Sequence, residues 1–284
     1  MKFLLVLTFL FQTSLTITTE PNAIVWIDEI RRGTTDASGK LTLAKVSAGR
    51  HSVRVRAKGF KETTAALLPG RRVLAVKLLP TTDPAELKFQ EAEAAREKAR
   101  DQASQQKAAD LYREALKLRP AFPAAQVGLA RLLMDLNEFK EAHAAIEAAR
   151  RAKPSYAEAS AVEGRIYREE AFEDDAIRSF RRAIREAGGV QPEAYVGMAK
   201  VLEDKGQFAE AIVEYKKALA QLSDSEPVIY QMLGAAYERV EKPKEAVVAY
   251  EKYLELAPNG SYAAAIRSIL TQLKREAAGE QIIP

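Results

Sequence analysis

An alanine returns at a near-fixed interval along the last two-thirds of this 284-residue chain: Ala108, Ala142, Ala176, Ala211 and Ala246, separated by 34, 34, 35 and 35 residues. Four residues after each stands a bulky side chain: Tyr112, Ile146, Phe180, Tyr215 and Tyr250. Three further on come Ala115, Ala149, Ala183 and Ala218, with Tyr253 breaking the series. A period of this size is that of a helical hairpin copied in tandem, each copy burying its apolar face on its neighbours. Such an array offers a long surface for other molecules and needs no reactive side chain.

The chain is long enough for two domains, and 47% hydrophobic with 29% charged residues is the balance of a folded protein. Cysteine is absent, which excludes disulfides, thiolate metal sites and cysteine nucleophiles. The only histidines, His51 and His143, fall in different segments, so a metal site or catalytic triad would have to form across domains. No glycine-rich phosphate loop is present. These readings predict a protein without cofactor, metal or catalytic site, and without nucleic acid as a partner.

The net charge of +4 is unevenly spread. Between Ile17 and Pro80 twelve Lys/Arg stand against five Asp/Glu, whereas from Thr81 onward thirty stand against thirty-four. A basic head is suited to an anionic cell-wall or surface-layer component, or its charges serve only to keep strand edges from aggregating.

Met1-Lys2 followed by the apolar run Phe3–Phe11 and then Gln12, Thr13 and Ser14 has the make-up of an export signal. The run is too short to span a bilayer. Residues 1–16 are therefore expected to be a signal peptide or an N-terminal anchor. Residues 17–80 switch to period two, with β-rich runs at Ile24–Ile27, Leu41–Leu43, His51–Val55 and Val73–Val76. Turn signals at Pro21-Asn22, Arg32-Gly33, Ser38-Gly39 and Lys58-Gly59 separate them. In Val53-Arg54-Val55-Arg56 the valines should face a core and the arginines water, and Trp26 should join the core.

The order Pro21-x-Ala23, Val25-x-Ile27-Asp28, Gly33-Thr34, Gly49-x-His51-x-Val53 and Gly59-Phe60 resembles a PEGA domain, a β module associated with bacterial and archaeal surface layers. The stretch from Thr35 to Phe60 is equally similar to the regulatory β-sandwich beside some carboxypeptidases. Both imply a prealbumin-like sandwich, and neither brings a catalytic residue.

Pro80 to Pro84 forms the hinge, where Asp83-Pro84 has the form of a helix cap and first helical residue. After a linker over 81–88, the copies run 89–122, 123–156, 157–191, 192–226 and 227–260, with a capping helix over 261–278 and a tail over 279–284. Large-small pairs recur at Leu129-Ala130, Met198-Ala199 and Leu233-Gly234, and prolines close the copies at Pro120, Pro154 and Pro258. This pattern resembles the tetratricopeptide repeat (TPR). The fold class expected is thus multidomain: a small all-β sandwich followed by an all-α TPR superhelical solenoid.

In that family the first helix of each hairpin lines a concave groove that holds a protein or peptide partner. By register the resemblance implies Val127, Arg131, Met134, Arg165, Arg168, Val196, Lys200, Gln231 and Glu238 as groove positions. Arg131, Arg165 and Lys200 fall at one repeat position and would make a basic ladder for a carboxylate, unless Glu158, Glu169, Glu203 and Asp204 neutralise it. The function expected is a non-enzymatic interaction scaffold or adaptor of a bacterial cell envelope, exported or periplasmic. The alternatives are an accessory subunit of an envelope hydrolase or secretion complex, and a cytoplasmic location.

Overall fold

The computed structural model describes residues 13–28, 30–46, 49–222 and 226–278. The first twelve residues of the expected leader, and the tail over 279–284, lie outside them. The chain divides into two compact units between Leu87 and Lys88.

Among the described residues the first unit holds nine strands: β1 Thr13–Thr18, β2 Ile24–Ile27, β3 Ile30–Thr34, β4 Lys40–Val46, β5 His51–Arg56, β6 Phe60–Lys61, β7 Thr63–Leu67, β8 Val73–Ala75 and β9 Leu79–Pro80. One sheet runs β4-β1-β8, with β1 antiparallel to β4 and parallel to β8. A second runs β3-β2-β5-β7, antiparallel throughout, and β6-β9 form a short third ladder. Leu15 and Ile17 of the first sheet and Val25, Val53 and Val55 of the second share one core, because alternate residues of each strand point inward. Among the described residues, β1 extends ahead of the boundary drawn at residue 17. A leader ending at residue 16 would carry away buried Leu15.

Two sequence expectations are corrected here. Trp26 is not in the core: it lies half-buried on the outer face of β2, with the guanidinium of Arg54 at 4.2 Å and that of Arg56 at 5.3 Å from its ring centre. Both arginines also bond Glu62, so they cover an indole rather than project into water. Arg32-Gly33 is not a turn but part of β3, where the register slips beside Val25 and Gly33 takes a φ of +146°.

The second unit is helical. Its hairpins are α1 Pro84–Lys98 with α2 Gln102–Leu118, α3 Pro123–Asp135 with α4 Phe139–Ala152, and α5 Ala157–Glu169 with α6 Glu173–Glu186. Then follow α7 Pro192–Asp204 with α8 Phe208–Leu222, α9 Pro227–Arg239 with α10 Pro243–Leu256, and the last helix, α11 Ala263–Ala278. Proline opens α3, α7, α9 and α10, where its missing N–H costs nothing. Asp83 caps α1 by accepting from the Ala85 amide, and Asp101 caps α2 in a reciprocal box with Ser104.

The repeating alanines Ala108, Ala142, Ala176, Ala211 and Ala246 are all fully buried, as are Tyr112, Phe180 and Tyr215 four residues on. Glycine on the first helices makes room for those rings. A Cβ at Gly164 would stand 2.7 Å from Phe180, and one at Gly197, in the next hairpin, 2.3 Å from the same ring. Phe180 is thus the wedge between the third and fourth hairpins. Gly128 meets Tyr112 and Gly234 meets Tyr250 in the same way.

Candidate functional site

Which side of the array is concave follows from its contacts. The first helices of successive hairpins touch, α3 with α5 and α5 with α7, while the second helices are not drawn together to that degree. The first helices are therefore the inner row, and the face they share is the candidate site.

The curvature is tight enough to bury part of that face. Val127 and Met134, expected to face a guest, lie in the core of the first repeats with Leu132 and Leu133. At 1% and 4% exposure neither presents a surface to a guest, so neither is a groove residue. Arg165, Arg168, Val196, Lys200 and Gln231 are half-buried on the inner row, and Glu238 is exposed at its end.

The basic ladder is largely spent within the chain. Arg131 Nη2 donates to Glu158 Oε1 at 3.2 Å and to Glu193 Oε2 at 3.3 Å. Arg165 Nη1 donates to the other oxygen of Glu193 at 3.4 Å. Arg168 grips Asp204 with Nε and Nη2 at 2.8 and 3.3 Å and also reaches Glu169. Glu193 is the residue that ties three first helices together, and its own position in the inner row was the sequence signal for it. Burial pushes its carboxyl up, but Arg131 and Arg165 more than reverse this and hold it below the usual range.

Lys200 is different. Among the described residues it makes no ion pair within 4.0 Å, and burial, then the charges of Arg168 and Arg165, push its ammonium below the ordinary lysine value. Burial likewise raises the carboxyls of Asp135 and Glu203. Glu203 accepts from the Tyr215 hydroxyl at 2.8 Å, and Tyr112 and Tyr250 donate in the same manner to Glu93 and Glu238. Burial raises all three phenols, so they remain donors. The α1 side chains Glu93 and Arg96, which meet at Tyr112, extend the inner row one hairpin further than the register suggested.

Each histidine has a carboxylate partner within its own unit. His51 Nδ1 lies 2.6 Å from Asp28, and His143 Nε2 lies 2.6 Å from Glu170 with its ring against Tyr167. Among the described residues no three His, Cys, Asp or Glu side chains stand together as metal ligands would, and no helix is long and apolar enough to cross a membrane.

Tetratricopeptide family models match residues 99–166 and residues 191–259. These are tetratricopeptide repeats. The first match begins after α1, which agrees with the aromatic packing of Phe89 on Tyr112 and Phe122 in place of a small-residue contact. No curated protein matches the sequence. Among solved structures, the chain is similar to a thermophilic TPR protein of Thermus thermophilus, TTC0263, at 20% identity over 67% of this chain and 98% of that one, with a TM-score of 0.55. It is also similar to PilW, described as a widely conserved type IV pilus biogenesis factor, at 17% identity over 70% and 90%, with a TM-score of 0.59. For PilF of Pseudomonas aeruginosa the identity is 14% over 69% and 88%, with a TM-score of 0.57. At these identities the likeness shows the fold. TPR arrays are protein–protein interaction scaffolds, and their stacked hairpins present extended concave surfaces for that purpose.

Proposed function

We propose that this chain is a non-enzymatic scaffold of the bacterial cell envelope that holds a segment of a partner protein along the inner row of α7 and α9. The observation that carries the reading is Lys200. It is a half-buried cation near Arg165 and Arg168 with no ion pair among the described residues, and Val196 of α7 and Gln231 of α9 are half-buried on the same row. A site with that balance favours a carboxylate, and a partner side chain that supplies one relieves the repulsion from Arg165 and Arg168. Arg131 contributes little to binding in this reading, because Glu158 and Glu193 already occupy it.

The envelope location is supported by the PEGA-like residues of the β unit, from Pro21 to Phe60, and by the excess of basic residues there, which suits an anionic wall or surface-layer component. The scaffold reading is supported by the repeats and by the absence of cysteine.

The test is cross-linking from within the groove. Full-length protein carrying p-benzoylphenylalanine in place of Val196 should give, on irradiation of intact cells, an adduct with one protein recovered in the envelope fraction. Lys200→Glu should remove it. Recovery of the adduct from the cytoplasm alone would refute the location, and its persistence in Lys200→Glu would refute the role of the lysine.

A further inference from the structure

The outer side of the array is not uniform. In the third hairpin the trough between α4 and α6, floored by α5, is filled by the chain's own polar groups. Arg150 bonds Ser160, Ser160 bonds Glu186, and Glu163 takes Ser179 and Arg182, with Arg150 within 3.8 Å of Glu163 and 3.6 Å of Glu186. Seventy residues further on, two repeats of 35, the same positions carry other chemistry: Ser160 becomes Tyr230, Glu163 becomes Leu233, Ser179 becomes Ala249 and Arg182 becomes Lys252. The fourth hairpin is intermediate, with Tyr195 under Lys217, which pairs with Glu214 at 2.8 Å.

The substitutions leave the corresponding trough of the fifth hairpin open. Between α8 and α10 lies a cavity of about 620 Å³ whose floor is one stripe of α9, formed by Tyr230, Leu233 and Tyr237. Val248 of α10 lines it and is 66% exposed. The stripe turns away from Gln231 and Glu238, so this surface is distinct from the inner row.

Its charges favour one sign of ligand. The carboxylates Glu251 and Glu255 are held at 2.8 Å by Lys274 and Lys252. Lys216, over the Tyr237 ring at 5.5 Å, and Lys244 make no ion pair among the described residues, against the single such carboxylate Glu245. An apolar floor running from Tyr230 to Tyr237 along one helix spans about 10 Å, two turns of a guest helix, and unspent lysines at the edge select acidic flanks on it.

We propose that this outer trough is a second docking surface and that its occupant is an acidic amphipathic helix of a partner protein. It is independent of the inner-row reading, so the array can hold two segments at once.

The experiment again uses the full chain in cells, with p-benzoylphenylalanine in place of Val248 and, separately, of Val196. The expected result is an adduct at position 248 whose cross-linked peptide maps to an acidic amphipathic segment. Its yield should fall at least about tenfold in Lys216→Glu/Lys244→Glu, two surface changes that leave the core intact. An adduct at 196 with none at 248 overturns this inference and leaves the proposed function standing. Adducts at 248 that map to a second copy of this chain, or to a basic or non-helical segment, also overturn it. Adducts at neither position overturn both.

Discussion

Arg131 on α3 and Glu193 on α7 meet at 3.3 Å although a whole hairpin separates them in sequence. Their contact spans α5, whose Ala161 is fully buried, and so links the second hairpin to the fourth. The side chains are 19% and 34% exposed, so solvent weakens the pair without screening it fully.

Removing this tie should cost stability. Glu193→Gln leaves Arg131 and Arg165 short of a carboxylate, and thermal or urea unfolding should show a loss of about 1–3 kcal/mol. The same carboxyl gives the pH dependence its sign. Its folded pKa lies below the ordinary 4.5, so its contribution is complete above that value and is lost as the pH falls through the folded pKa. Acid titration of stability should therefore be shallower in Glu193→Gln than in the parent chain. Equal slopes would dissociate Glu193 from the acid limb.

Phe180 has no room to give way. In an exposed helix Gly→Ala gains about 1 kcal/mol, but at Gly197 the added carbon meets the Phe180 ring at 2.3 Å. Overpacking should win, and Gly197→Ala should destabilise by about 1–3 kcal/mol. Gly197→Ala with Phe180→Leu should lose less than the two single changes summed, a coupling that a double-mutant cycle reads directly.

The turn between the two helices of a hairpin needs a left-handed residue at a fixed place: Asn137 (φ +61°), Ala171 (+59°), Gly206 (+73°) and Glu241 (+54°). Only one of the four is glycine. Ala171→Gly should raise stability by about 1 kcal/mol, because an L side chain pays about that much in this region. Gly206→Ala, with no neighbour within 4 Å to clash, should lose a similar amount. A drop in melting temperature for Ala171→Gly would contradict this account.

In the β unit Thr35 is buried, and its hydroxyl accepts from the Ala23 amide at 2.8 Å while donating to the Glu20 carbonyl at 2.7 Å. Thr35→Val keeps the shape and strands both backbone groups. It should cost about 1–3 kcal/mol, seen as faster hydrogen exchange at Ala23 and an earlier melt of the sandwich with the helical signal unchanged.

How far the sequence could be read depended on whether a residue's task repeats. Ala176 and Phe180 announce themselves because each hairpin asks the same of those positions, so period and residue type together locate the core. The inner row was harder. Val127 and Met134 share the register of true surface positions, and only the packing of several helices into one core buries them. Trp26 was misplaced because an indole fits a core by composition, whereas here two arginines on β5 supply the cover. Tyr230 and Leu233 carried a signal that a single copy could not give, namely their contrast with Ser160 and Glu163 seventy residues earlier.

By itself the sequence determined the two-part architecture, the helical hairpins and the buried alanine–aromatic seam, because local periodicity and side-chain size are properties of short stretches of chain. The tertiary structure alone decided the sharpness of the curve, the pairing of Arg131 with Glu193, the isolation of Lys200 and the open trough over α9. Each of these depends on groups far apart in sequence, and their distances are set by the accumulated angle between one hairpin and the next.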